Sequence, residues 1–279
     1  MSETPAWMKP APEEETAVPR DIDTSVAHPA RIWDYWLGGR DNFAADRETG
    51  DQILAAIPDM VANARADREF LGRAVRHLVT EEGVRQFLDI GTGIPAAGNT
   101  HEVAQSIVSD CRVVYVDNDP IVLAHARALM VGGDMGATDY IDADLRSPDD
   151  IIQGAARTLD FDRPVAIMLL GILEFVPDTA QASAIIGRLL AAVPSGSFLV
   201  VSHSTDEVHG EAMREAARLW NEGGSTPLVL RDTEQLAGLF DGLELVDPGV
   251  SSCSLWRPDG VDIGSVAPVA QYCAVGRKP

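Results

Sequence analysis

The sequence predicts one α/β domain, a mostly parallel sheet with helices on both faces, preceded by an N-terminal helical cap. Two observations predict it. From residue 86 onward, short continuous apolar runs alternate with segments of helical periodicity, the pattern of strands buried on both faces and joined by crossover helices. Before residue 86 only the helical period is present. In order, Ala30 to Ile57 reads as helical and broken near Gly38-Gly39, with Asp41 as the expected N-cap of the second part. Pro58 opens a further helix, whose stripe Met60-Val61, Ala64, Phe70-Leu71, Ala74-Val75 and Leu78 has the 3.6 period. Five strands are expected at Gln86–Ile90, Arg112–Val116, Asp139–Ile141, Pro164–Leu170 and Ser197–Val201. Helices are expected near 100–108, 119–130, 148–158 and 178–192, and a closing hairpin from Leu243–Val246 and Val269–Val275 makes seven strands.

The chain has 279 residues, within reach of one large domain, and is 46% hydrophobic and 23% charged. Its 43 acids against 22 bases give a formal charge of −21, which repels nucleic-acid phosphates and anionic lipid. A small-molecule partner is expected, with no nucleic acid and no membrane. Cys111, Cys253 and Cys273 are far apart and lack CxxC spacing, so neither a disulfide framework nor a metal site is indicated. Residues 1–25 carry four prolines and the Glu13-Glu14-Glu15 run with no apolar core. They read as a flexible tail rather than a signal peptide, and a cytoplasmic location is expected. The expected division is tail 1–25, helical cap or lid 26–80, and cofactor-binding domain 81–279.

The most informative segment is Phe87-Leu88-Asp89-Ile90-Gly91-Thr92-Gly93-Ile94-Pro95. A buried strand runs into a Gly-x-Gly turn at its carboxyl end, where α/β sheets bind ligands. Glycine there leaves room for a ligand on the backbone and permits positive φ. Asp117 ends the next strand, placed to accept hydrogen bonds from both ribose hydroxyls of a nucleoside cofactor; Asp119, before Pro120, reads as a helix cap. Gly91-x-Gly93-x-x-Ala96 formally satisfies the dinucleotide fingerprint, so an NAD(P)-dependent oxidoreductase is one reading. Three features favour another. Asp89 is suited to face a cationic aminoacyl group. Pro95 delays the following helix, which removes the helix N-terminus that a pyrophosphate uses. In Tyr140-Ile141-Asp142-Ala143-Asp144-Leu145, Asp144 is suited to an adenine amino group.

Here the chain resembles the class I S-adenosylmethionine-dependent methyltransferases, with Asp89-Ile90-Gly91-Thr92-Gly93 similar to their first motif, Asp117 to the ribose acid and Asp144 to the adenine-side acid. The block from Ala30 to Arg47 (ARIWDYWLGGRDNFAADR), with Leu169–Val176 and Leu199–His203, narrows the resemblance. It points to an actinobacterial S-adenosyl methyltransferase family formerly known as a domain of unknown function, over residue 25 to the C-terminus. The resemblance implies a Rossmann-like fold, S-adenosyl-L-methionine as cofactor, S-adenosyl-L-homocysteine as product, and cofactor contacts that include Thr92, Asn118 and Leu145. It also leads one to expect histidine at position 174, where this chain has Glu174.

Other residues have two readings. Trp33, Tyr35 and Trp36 either anchor a cap helix or form a lid, from which Tyr35 and either Arg31 or Arg40 would reach the cofactor. Arg65, Arg68 and Arg76 form a stripe that either receives an anion or, with Glu69 pairing to Arg65, is a solvated face. Glu174 and His203, at the carboxyl ends of the fourth and fifth strands, are the candidate catalytic side chains, as base or amine ligand. Alternatively they satisfy nearby backbone. Trp256-Arg257-Pro258-Asp259 either lines an acceptor pocket or is a turn. A module that binds the cofactor without catalysis is the third function class considered.

Overall fold

The structure, a computed structural model, describes residues 22–129, 137–223, 226–258, 260 and 266–279. Nearly all of the expected tail, and Asp259, lie outside the described residues.

Strands β1 (Gln86–Ile90), β2 (Arg112–Asp117), β3 (Thr138–Asp142), β4 (Ala166–Leu170) and β5 (Phe198–Ser204) are parallel, and β8 (Gln271–Arg277) runs antiparallel against β5. The order is β3-β2-β1-β4-β5-β8-β6. Two short strands, β6 (Glu244–Leu245) and β7 (Ser251–Ser252), both pair with β8, so among the described residues the sheet has eight strands, not seven. The expected hairpin is thus interrupted by β7. The order reverses between β1 and β4, and at such a switch point the turns leaving two neighbouring strands diverge and open a crevice.

One sheet face is covered by α6 (Pro148–Ala155), α7 (Thr179–Ala191) and α9 (Thr233–Gly238), against Leu88, Val114, Ile167, Leu199 and their neighbours. The other carries α3 (Met60–Thr80) and α4 (Thr100–Ile107), with Phe87, Val113, Met168 and Val200 beneath them. Continuous burial of β1, β2 and β4 follows from this double cover and accounts for their unbroken apolar runs. A third apolar cluster joins α1 (Pro29–Trp36), α2 (Ala44–Ala56) and α8 (Gly210–Gly223) to the first turns of α3. Residues 26–80 therefore divide, with α1 and α2 standing over the sheet's carboxyl end while most of α3 covers the sheet.

The break at Gly38-Gly39 is present, but α2 begins after Phe43, not at Asp41. Asp46 makes the difference: its buried carboxylate accepts from the amides of Phe43 (2.7 Å) and His28 (2.9 Å), starting α2 after Phe43 and fixing the entry to α1 with one side chain. Asp119 is the cap foreseen for α5 (Pro120–Leu129), accepting from the Ile121 amide at 2.8 Å. Glu69 faces Arg73 at 3.8 Å, not Arg65. Trp256 is core, fully buried against Phe70 and His77.

Candidate functional site

A cleft of about 400 Å³ opens at the carboxyl end of the sheet, between the turns that follow β1 and β4 and beneath α1 and the loop after it. The turn after β1 forms its floor. Gly91 and Gly93 have φ of +74° and +66°, in the left-handed region that favours glycine. Their roles differ. A Cβ on Gly91 would stand 2.5–2.7 Å from the Ile172 side chain, so Gly91 lets the two turns meet. A Cβ on Gly93 would have nothing within 4 Å, so the backbone there lies bare beside the cleft. α4 starts only at Thr100, capped by Asn99 and Glu102, so no helix N-terminus follows the glycine turn directly.

Asp89, Gly91, Thr92, Gly93, Asp117, Asn118, Asp144 and Leu145 all line this cleft. Asp89 is buried, accepts from Thr100 Oγ1 at 2.6 Å, and is pushed up to about 6, first by burial. Asp117 is also raised by burial, against the pull of the Asp119 (2.9 Å) and Gly93 (2.8 Å) amides it accepts. Each of its oxygens keeps a lone pair for a ligand. Asn118 donates to Asp144 at 3.3 Å, and Arg146 joins Asp144 (3.2 Å) to the Phe175 carbonyl (2.7 Å), tying the β3 loop to the β4 turn.

Three expected lid contacts are corrected. Arg31 does not line the cleft: it is buried against Asp119, Nε to Oδ2 at 3.2 Å, and latches α1 to the start of α5. Tyr35 points outward, its hydroxyl donating to Asp51 at 2.6 Å, and Arg40 is exposed on the loop. The residues of this block that do line the cleft are Ala30, Trp33, Asp34, Leu37, Gly38, Gly39 and Asp41. Asp34 organises the loop over the cleft, accepting from the Asp41 amide (2.9 Å) and the Asn42 side chain (2.8 Å). A Cβ on Gly39 would collide with the Asp34 carboxylate, so a side chain there would displace that carboxylate from the loop donors it holds.

The two candidate catalytic residues are also off the cleft. Strand alternation decides His203: it shares the face of Leu199 and Val201, away from α3, while Ser202 and Ser204 share that of Phe198 and Val200. Its Nδ1 bonds the Ser204 carbonyl (2.8 Å), its Nε2 faces Arg231 (2.7 Å), and burial lowers it to about 3, so it is neutral and committed. Arg231 in turn donates to the carbonyls of Leu173 (2.9 Å) and Val176 (2.7 Å), which holds the turn after β4. Glu174 sits in that turn, fully buried beneath α1 and α8 and raised by burial to about 7. It accepts from the Ser204 amide at 3.0 Å. Ser204 Oγ donates to Gln271 Oε1 (3.0 Å), and Gln271 Nε2 reaches Ser202 Oγ (3.5 Å). Glu174 therefore touches the site only through a chain of side chains.

That chain leads to Asp67, which sequence reading missed. Asp67 lies on α3, lines the cleft, is 6% exposed, and is raised to about 6 by burial, tempered by Ser202 and Arg68. The signal for it was present: Asn63 and Asp67, four apart, interrupt an apolar helical face, and Asn63 accepts from the Ala270 amide at 3.0 Å. Arg68, from the basic stripe, lines the cleft and binds the Ala97 carbonyl and Asn99 Oδ1, both at 3.2 Å; Arg65 and Arg76 are exposed. Among the described residues, no three His, Cys, Asp or Glu side chains gather as a metal site, and no helix is long and apolar enough to cross a membrane.

Comparison with known proteins agrees with this geometry. A DUF574 family protein from Streptomyces avermitilis is 43% identical, with a TM-score of 0.88 over 92% of this chain and 99% of its own. A candidate methyltransferase from Thermobifida fusca is 39% identical, with a TM-score of 0.87 over 94% and 99%. At 12% identity and a TM-score of 0.51, over 89% of this chain and 93% of its own, magnesium protoporphyrin IX methyltransferase from Synechocystis shares the fold. No curated protein matches the chain. The S-adenosyl methyltransferase family profile matches residues 15–279, and the chain belongs to that family: it is an S-adenosyl-L-methionine-dependent methyltransferase.

Proposed function

We propose that this enzyme methylates a small molecule in the cleft at the sheet's switch point. The observation that carries the reading is the bare glycine turn, whose Gly93 amide is held by Asp117 at 2.8 Å with open space above it. The cleft fits the cofactor in shape and in donor chemistry. Asp117 would accept the ribose hydroxyls, Asn118, Asp144 and Leu145 would border the adenine, and Asp89 beside Thr92 would face the aminoacyl ammonium. Bound there, S-adenosyl-L-methionine supplies an electrophilic methyl group on a sulfonium. The protein's contribution is alignment and exclusion of water, and orientation alone can lower a barrier by about 7–11 kcal/mol. Trp33 and Leu37 from α1 and its loop, with Ile172 and Phe175 after β4, would close around the acceptor.

In this reading residues 26–80, α1 and α2 above all, serve as the cap over the 81–279 catalytic unit. The formal charge of −21 supports a partner other than nucleic acid or anionic membrane. Three buried, unpaired cysteine thiols support a reducing, cytoplasmic setting. An actinobacterial source is in keeping with the Streptomyces and Thermobifida structures.

Calorimetry with S-adenosyl-L-homocysteine tests the assignments. Asp117→Ala, which strips two amides of their acceptor, and Gly91→Leu, which drives a side chain into Ile172, should each weaken binding at least tenfold. Unchanged affinity in both would sink the assignment. In thermal shift the product cofactor should stabilise the fold and NAD or NADP should not.

A further inference from the structure

We infer that the methyl acceptor is an amine with an apolar body, held as its ammonium form by Asp67. The inference rests on the small-molecule reading above and names the substrate class.

The position of Asp67 separates it from the cofactor's nucleoside end. Asp117 and Asp144 mark that end at β2 and β3, and Asp89 stands at β1. Asp67 lies toward β5 and β8, beside Ser202, Gln271 and Cys253, the last with its thiol 3.9 Å from Oδ1. Adjacent strands are about 4.8 Å apart, so three strand steps from β2 to β5 span roughly 14 Å along the cleft. The orientation of Ser202 supports the same placement. Its Oγ accepts from the Gly171 amide (3.0 Å) and lies 3.5 Å from Gln271 Nε2, and Ser202 and Gln271 both draw the Asp67 carboxyl down against the effect of burial.

The charge of the cleft then selects the acceptor. Six carboxylates line it, Asp34, Asp41, Asp67, Asp89, Asp117 and Asp144, against two guanidinium groups, Arg68 and Arg146. Both guanidiniums are already committed: Arg68 to Ala97 and Asn99, Arg146 to Asp144 and Phe175. The surplus of carboxylate persists after the cofactor's sulfonium is counted. An anionic acceptor meets repulsion, and a neutral one leaves the buried Asp67 carboxylate with neutral donors and a guanidinium held elsewhere, and no cation in contact with it, which is costly away from water. An ammonium group removes that cost. Its apolar body would lie against Trp33, Leu37, Ile172 and Phe175, which line the same cleft.

The chemistry balances. The bound ammonium passes one proton to an Asp67 oxygen, and the freed nitrogen lone pair forms the new N–C bond. The S–C bond breaks with its electron pair kept by sulfur, and the product leaves as an N-methylated ammonium. Asp67 then returns its proton to water.

The test uses full-length protein saturated with S-adenosyl-L-homocysteine and reads binding by calorimetry. The probes are benzylamine, 2-phenylethylamine and tryptamine, each against the alcohol of the same skeleton, at pH 7.5. At least one amine should bind tenfold or more tighter than its alcohol. Asp67→Asn should remove that preference while its affinity for the product cofactor stays within threefold of wild type, which also reports that the variant is folded. Equal binding of every amine and alcohol overturns the inference and leaves a small-molecule acceptor standing. Binding by none of the probes counts against both. A tenfold loss of product-cofactor affinity in Asp67→Asn overturns it differently, by assigning Asp67 to the cofactor.

Discussion

Glu174 and His203 occupy the sequence positions where a methyl-transferring α/β enzyme meets its acceptor, yet neither faces the cleft. A one-residue difference in strand parity is enough for His203, since Ser202 takes the cleft-side face and its neighbour the opposite one. Sequence alone gives the strand but not which alternate set faces α3. Glu174 is a carboxylate buried below a turn, and its consequence is thermodynamic. Its folded-state value is raised to about 7, first by burial, above the ordinary carboxylate value. The folded state therefore binds more protons than the unfolded one between about pH 4.3 and pH 7, so stability falls as pH rises through that window. His203 acts oppositely: it is held neutral down to about 3, and stability is lost as pH falls below about 6.5. The Glu174→Gln variant isolates the first effect, because glutamine still offers an oxygen to the Ser204 amide. Its Tm should exceed that of wild type at pH 8 and converge with it near pH 5. A difference that grows toward acid would contradict the assignment.

At the scale of elements, the strands and the central helices were legible because each carries one dominant signal. β4 is a run of five apolar residues and α7 keeps Ala182, Ile185, Ile186 and Leu189 on one stripe. Two helices were not foreseen. α8 keeps only Met213, Ala216 and Trp220 inward among five charged residues, and α9 has six residues and one buried side chain, Leu236. The fold of the cap was half legible, since its aromatics announce packing but not what they pack on. Arg31 illustrates the limit: a cation near a cofactor mouth and a cation that locks two elements look alike in sequence. Its partner Asp119 is fully buried; burial would raise it, but the hydrogen bond and charge of His28, with the Ile121 amide and Arg31, bring it down to about 2. Arg31→Ala leaves that carboxylate without its guanidinium and should cost about 3 kcal/mol. In urea denaturation, Arg31→Ala combined with Asp119→Ala should cost at least about 1 kcal/mol less than the two singles added together. Strict additivity would mean that the latch carries no energy of its own.

Across the whole molecule the excess of 21 negative charges divides into a small functional part and a large remainder. Six carboxylates surround the cleft, where they select for cationic groups. Among the described residues most of the other acids lie on the surface, and the exposed ion pairs there, such as Arg188 with Asp149 and Arg214 with Asp206, offset only part of the repulsion. Two effects of salt therefore compete. Screening weakens each exposed pair, worth about 0–1 kcal/mol apiece. It also weakens the repulsion among many unpaired acids, which is summed over the molecule and acts at longer range. The long-range sum is the larger where acids outnumber bases nearly two to one. Raising sodium chloride from about 0.05 M to about 0.5 M shortens the screening length to roughly 4 Å and should raise the Tm of the ligand-free protein by several degrees. The same change should leave the binding of the amine probes nearly unaltered, because burial shields Asp67 from salt. A Tm that falls with salt would mean that the surface pairs, not the excess charge, govern the stability of the fold.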